Sequence, residues 1–531
     1  MKNICFIIAG LLAISISGYS QKEGLKYIDQ NDLKGYMSFF SSDELQGRET
    51  GTAANETAAL FIKSNIIRLG LKPVPETGDY YQRMPLVSNS IIHKESYIRV
   101  IDNNGKTILS TDSVVSIAPP ENMEVTGNVV FAGYGYKDVN SGYDDFGGVD
   151  IKDKIVMVMT RDPKAVKAGE GNGIFDNDLE SSKIKYAIIN GAKAILLVYD
   201  PKYKFPDAYA SRLAEMAPSE TVSFKYQENE SLPMKILFIT RNTADMLLKT
   251  TGYDLKQLQE KIDNEGKPVS AEMQGIKASI KTSIETNEFS APNVIGIVEG
   301  SDPVLRNEYV IYTAHYDHIG TDENGEVNNG ADDNASGSMA LLEIAQAYMN
   351  LKKKSLRTIV FAWVNGEEKG LLGSEYYTNN PVFPLENTLV DINLDMVGRS
   401  KLPADTGKMF GYDMTATQPR EILVYTGHES TELMKMLSSS AKETGVTVTD
   451  KGLDLQFGSS DHESFMKKGI PAFFFNSGIH ADLHSVRDDI EKIDFDKMER
   501  VSKMVYLLGY KAANQKKRIT IDKTLDMDEL H

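Results

Sequence analysis

The sequence predicts an α/β protein: a mostly parallel or mixed sheet with helices on both faces, interrupted by a separate β-rich insert. Three observations predict it. From Asn293 onward, apolar runs of strand length alternate with segments of helical period. Between about Val87 and Thr282 the chain instead becomes a series of short β-prone runs broken by Gly, Asp, Asn and Pro. Finally, the acids and histidines of the last region fall where its predicted strands end.

Taken in order, MKNICFIIAGLLAISISGYSQ has the layout of a secretory leader. Lys2 is the positive start, Ile4 to Ile16 the apolar run, and Gly18 and Ser20 the small residues before a cut at Gln21. The run is short for a membrane span, and a retained anchor is the alternative. The single cysteine, Cys5, lies within it. A mature chain without thiols suits a bacterial periplasm or cell exterior better than a disulfide-rich setting. Glu56 to Leu69 reads as a helix closed by Gly70, and SSDELQGRETGT before it reads as a loop. SYIRV, NVVFAGYGY, KIVMVM, AILLVY and KILFI are the strands of the insert, with few helices such as Ser181 to Asn190 among them.

In the last region NVIGIVEG, EYVIYTA, RTIVFAWV, LVDINL and PAFFFN are the strands. Gly337 to Asn350, Leu371 to Asn379, Ser430 to Glu443, Asp461 to Lys468 and Asp494 to Ala513 are the helices. The expected organisation is a leader over 1–20, a discontinuous main domain over 21–86 and 283–513, an insert over 87–282, and a tail over 514–531.

A chain of 531 residues with 41% apolar and 25% charged content builds a sizeable core. Its net charge of -17 argues against nucleic acid or anionic lipid as the main partner, since both need clustered Lys and Arg. No stretch after the leader is apolar enough to span a bilayer. Oligomeric state is not written in the sequence.

The polar residues at the strand ends carry the chemistry. His315 and Asp317 follow EYVIYTA, Glu367 and Glu368 follow RTIVFAWV, and Asp395 follows LVDINL. His480, Asp482 and His484 follow PAFFFNSG, and Asp332 and Asp333 precede a helix. In open α/β sheets the crevice lies beyond the carboxyl ends of the strands, so these groups share one edge. Singly, each has a structural explanation: a surface histidine, a Glu pair at a helix dipole, an Asp cap. Together they crowd like charges at a cost on the order of several kcal/mol unless a cation intervenes. Imidazoles mixed with carboxylates suit Zn²⁺, or Mn²⁺ and Co²⁺ less selectively, and one bridging carboxylate would let five ligands hold two ions.

In this order, AHYDH, NNGADDNASG, NGEEKGLLGS, NLDMVGR and IHADLHSVRDD resemble the M28 metallopeptidases, which include zinc aminopeptidases and glutamate carboxypeptidase-like enzymes. SSDELQGRETGT resembles that family's lead-in, and FAGYGY with YAIINGAKAILLVYD resembles its inserted protease-associated (PA) domain. The resemblance implies a zinc exopeptidase fold and two Zn²⁺ ions, with Mn²⁺ or Co²⁺ as alternatives. His315 and Asp395 would hold one ion and Glu368 and His484 the other. Asp332 would bridge them, with a cis peptide to Asp333. It makes Glu367 the general base and Asp317 the acceptor that fixes the His315 ring. Relatives commonly carry tyrosine before the last histidine ligand, whereas this chain has Leu483. His480, His462 and Arg399 are the candidates for substrate contact at the same edge.

The implied activity is an exported exopeptidase acting on peptides, with an aminopeptidase favoured because an acidic crevice suits a free α-ammonium group. A glutamate carboxypeptidase-like enzyme is the alternative, for which Arg399 and Arg487 would grip a terminal carboxylate. A glutaminyl cyclase, holding one zinc, and a peptidase-like receptor lacking ligands fit the complete donor set less well.

Overall fold

The computed structural model describes residues 21–111, 115–116, 122–168, 177–203, 220–226, 235–322, 324–409, 412–425, 430–449 and 460–522. The leader and the end of the tail lie outside these. The chain divides into two compact units, Met1–Pro85 with Ser290–His531, and Leu86–Phe289.

In the larger unit two helices, α1 (Gln30–Phe40) and α2 (Ala53–Leu69), precede the sheet. Asp29 and Thr52 cap them by accepting backbone N–H groups, and Gly70 closes α2 at φ 86°. The strands are β1 (Tyr81–Ile91), β2 (Ile284–Val298), β3 (Tyr309–His315), β4 (Thr358–Val364), β5 (Thr388–Leu394), β6 (Glu421–Tyr425), β7 (Thr447–Thr449) and β8 (Ala472–Asn476). They lie in the order β1-β2-β4-β3-β5-β8-β6-β7. The centre, β4-β3-β5-β8, is parallel throughout, whereas β2 on β4 and β6 on β8 are antiparallel. The sheet is therefore mixed with a parallel heart.

Parallel strands need helical crossovers, and these cover both faces. Val310, Tyr312 and Ala314 of β3 pack with Phe361 and Trp363 against α1, α2, α3 (Gly337–Met349) and the last helix, α7 (Phe495–Asn514). Tyr309 and Ile311, with Val360 and Ala362, face the other way, toward Tyr377 of α4 (Leu372–Asn379) and Phe465 of α6 (His462–Met466). Helix α5 (Thr431–Thr444) is capped by Ser430 and adds Leu433 and Leu437 to the first face. The period of two is that of an ordinary strand; both sets are apolar because both faces are buried.

The smaller unit holds an eight-stranded sheet whose centre, 123–132, 155–159, 194–198 and 235–239, is parallel. Helices Pro163–Ala168, Asn177–Ile189, Arg241–Leu248 and Leu255–Glu265 accompany it. The expected helix at Ser181 to Asn190 is present, and further helices such as LKQLQEKIDNE, which has helical rather than alternating period, add to it. Among the described residues no helix is long and apolar enough to cross a membrane.

One buried charge in the larger unit has a measurable consequence. Glu343 of α3 is fully buried and accepts the Asp29 backbone N–H at 3.0 Å. Burial, with repulsion from Asp32 and Asp29, pushes its carboxyl up to about 8. The unfolded chain ionises this group near pH ~4.3, so folding becomes costlier as pH rises from there through the folded value. Glu343→Gln keeps an acceptor without the charge. Calorimetry is expected to show it raising the melting temperature more at pH 8 than at pH 5.

Candidate metal centre

Every donor of the site follows the end of a central strand or precedes α3. His315 is the last residue of β3 and Asp395 the first after β5; Glu367 and Glu368 lie just beyond β4, and His484 lies in the loop after β8. The fifth element is the irregular turn Ala331–Ser336 leading into α3. Asn334 and Ser336 fasten this turn to the Asp395 loop: the Asn334 amide donates to Leu394 O at 2.9 Å, and the Val397 N–H donates to Ser336 Oγ at 2.9 Å.

The turn decides which of the two adjacent aspartates enters the site, and it is Asp333. Its Oδ1 lies 3.4 Å from His315 Nε2 and its Oδ2 lies 3.1 Å from His484 Nε2. Asp332 points away: its Oδ1 accepts the Gly398 N–H at 2.6 Å and its Oδ2 faces His480 Nε2 at 3.5 Å. Asp333, not Asp332, lies between the two histidines, where the bridging carboxylate was expected. The cis peptide is likewise one residue further on, between Asp333 and Asn334. Gly330, at φ 54°, permits the turn, since a Cβ there would sit 2.2 Å from Asp333 O.

Two donor sets share Asp333. His315 and Asp395 form the first, with Nε2 and Oδ1 3.2 Å apart. His315 Nδ1 meets the Asp317 carbonyl oxygen at 3.2 Å, so as the donor there it leaves Nε2 with its lone pair toward the acids. The Asp317 side chain, expected to orient this ring, is 3.8 Å away and instead accepts the backbone N–H groups of Glu367 and Glu368. It fixes the glutamate turn. Glu368 and His484 form the second set, Oε2 to Nε2 at 3.3 Å. His318 joins them, its Nδ1 2.7 Å from Glu368 Oε1. That histidine stood in the AHYDH motif without an assigned role. Asp488 was also missed: it accepts the N–H groups of Asp332 and Asp333 at 3.0 Å and holds the turn from behind.

The donors fit divalent cations on the chemistry present. His315 Nε2, His318 Nε2 and Asp395 Oδ1 are buried and have no hydrogen-bond partner among the described residues. Imidazole nitrogens and carboxylate oxygens are zinc ligands, and His315, Asp333 and Asp395, and separately His318, Asp333 and Glu368, lie close enough to share an ion. Electrostatics agrees. Burial works against a charged His315, yet Asp395 and Glu367 raise it well above its usual range; Glu368 and Asp333 do the same for His484. Burial would lift Asp333, but His315, His318 and His484 hold it far below the carboxylate range. Without a cation the acids recruit protons onto the imidazoles, and a divalent ion competes with those protons.

Glu367 differs. It is partly exposed, and burial, with repulsion from Glu368, Asp395 and Asp461, raises its carboxyl well above the usual range despite His315. The three residues expected to touch substrate are buried against other side chains. His480 is buried against Asp332, His462 is buried with its ring stacked on Phe474 at 4.5 Å, and Arg399 is buried with Nη1 on Asp482 at 3.0 Å. Leu483 lies in the turn closed by its N–H to His480 O.

Sheet and donors together form an α/β domain with a candidate metal centre at the carboxyl ends of its parallel strands. Residues 293–508 match the model of peptidase family M28. The chain is 25% identical over 490 residues to aminopeptidase YwaD of Bacillus subtilis (strain 168), a match covering 90% of this chain and 84% of that one. It is 29% identical over 278 residues to a "Probable leucine aminopeptidase" of Arthroderma otae, covering 51% and 68%. Its fold resembles an aminopeptidase from Aneurinibacillus sp. strain AM-1, with TM-score 0.57, 20% identity and coverage of 95% and 98%. It also resembles a zinc aminopeptidase from Bacillus subtilis, with TM-score 0.51, 22% identity and coverage of 93% and 98%.

The two aspartates separate by substitution. Asp333→Asn is expected to weaken zinc binding by more than ~100-fold, and Asp332→Asn by about 10-fold, as for a residue that only positions a ligand. Metal content after dialysis at fixed free zinc measures both; the reverse order would return the bridging role to Asp332.

Proposed function

We propose that this chain is an aminopeptidase that removes residues from the free N-terminus of peptides, using a pair of divalent cations. One observation carries the reading: Asp333 offers one oxygen to His315 and the other to His484, with Glu367 beside them. His315 and Asp395 would hold one ion, Glu368 and His484 the other, with Asp333 common to both and zinc the favoured metal. When bound, such ions supply Lewis acidity to the scissile carbonyl and to water.

The chain's own groups do the rest. Glu367 is partly exposed and has no side-chain hydrogen bond among the described residues, so it would be free to accept a proton from water. It would then deliver that proton to the leaving amine. Asp317 keeps Glu367 and Glu368 in place through their N–H groups, so adjacent glutamates take different tasks. The net acidity of the crevice favours an α-ammonium group. A terminal carboxylate finds less: Arg399 and Arg487 both engage Asp482, which supports the aminopeptidase over the carboxypeptidase. The related enzymes named as aminopeptidases support the same choice.

We read Leu86–Phe289, inserted between the two parts of the peptidase unit, as the protease-associated module, and the leader as directing export to the periplasm or exterior.

Peptides of one sequence with free and acetylated N-termini test the activity. Cleavage is expected only of the free form, lost with chelator and regained with zinc. Glu367→Gln is expected to keep zinc and lose about 10²–10⁴-fold in kcat. Equal cleavage of the acetylated peptide would sink the aminopeptidase reading.

A further inference from the structure

Arg48 lies in the lead-in before α2, outside the residues that match the family. Its backbone coils sharply, with Gln46, Gly47 and Arg48 all at positive φ. A Cβ on Gly47 would lie 2.3 Å from Gly320 O, so the lead-in is pressed against the loop that follows His315. The Gly320 N–H donates to Gly47 O at 3.1 Å.

The Arg48 side chain is fully buried and spends its donors on carbonyl oxygens. Nε donates to Tyr316 O at 3.0 Å, Nη1 to Phe40 O and Asn329 O at 2.7 Å each, and Nη2 to Gly330 O at 3.1 Å. Tyr316 sits between His315 and Asp317, and Gly330 opens the turn that carries Asp333. A rigid planar fork thus grips both donor loops at once, with α1 as its anchor. Among the described residues no carboxylate lies within ion-pair distance of it. A buried cation without a paired anion is ordinarily costly. Burial draws this one down only to about 10, because Asp333, Asp317, Asp488 and Glu368 act on it from further off. It remains charged at neutral pH.

We propose that Arg48 is a positioning residue of the metal centre: by holding the carbonyls of Tyr316, Asn329 and Gly330 it sets the separation of His315 from Asp333. The inference rests on the reading that these two side chains hold metal. Two rivals exist. As a counter-charge alone, Arg48 would be replaceable by lysine, and its loss would tighten cation binding. As a staple for the fold alone, it would matter for melting and not for metal.

Full-length wild type, Arg48→Lys and Arg48→Gln distinguish these. Zinc affinity is read by competition with a chromophoric chelator, ligand geometry by the visible absorption of bound Co²⁺, and turnover by kcat and KM on an aminoacyl anilide. Both variants are expected to bind zinc about 10–100-fold more weakly, with an altered Co²⁺ spectrum and a fall in kcat but little change in KM. Wild-type affinity and spectrum in a folded Arg48→Lys overturn the proposal, as does tighter zinc binding by Arg48→Gln. Failure of both variants to fold overturns it in favour of the staple. If wild type itself takes up no zinc, the proposed function falls first and this inference with it.

Discussion

Carboxylates buried side by side at the ends of parallel strands have to be balanced, and much of the larger unit is arranged around how that is done. Three kinds of positive group share the task. The imidazoles of His315, His318 and His484 face the oxygens of Asp333, Asp395 and Glu368. Backbone N–H groups serve the acids behind them: those of Glu367 and Glu368 point at Asp317, and those of Asp332 and Asp333 at Asp488. Arg48 contributes a charge that touches none of them. What is left over, among the described residues, includes His315 Nε2, His318 Nε2 and Asp395 Oδ1 without a partner, the kind of remainder a cation would answer.

The fold was largely legible because its signals are local. Strand-length apolar runs, capping residues such as Thr52, Ser430 and Asp494, and Gly70 after α2 place the elements to within a few residues. Their common edge follows from the parallel sheet, so the sequence alone assigns His315, Glu367, Glu368, Asp395 and His484 to one edge. The choice between Asp332 and Asp333 was not legible. Adjacent acids in one motif are equivalent in composition, and only the path of the turn, set by Gly330 and the Asn334 contacts, separates them.

Other residues were misread for a related reason. His480, His462 and Arg399 look reactive in sequence, yet each is buried: His480 faces Asp332, His462 stacks on Phe474 and Arg399 donates to Asp482. Nothing in a linear motif distinguishes a histidine aimed into a crevice from one aimed beneath it. Arg48 shows the converse. Its contacts are carbonyl oxygens separated from it by as many as 282 residues, and carbonyls carry no sequence signature. A stretch that reads as loop is therefore part of the scaffold of the site.

Asp333 turns one oxygen toward His315 and the other toward His484. A single planar group therefore belongs to both halves of the centre. Rotating it to suit one half spoils its aim at the other, so if each half holds a cation as proposed, filling one constrains the other.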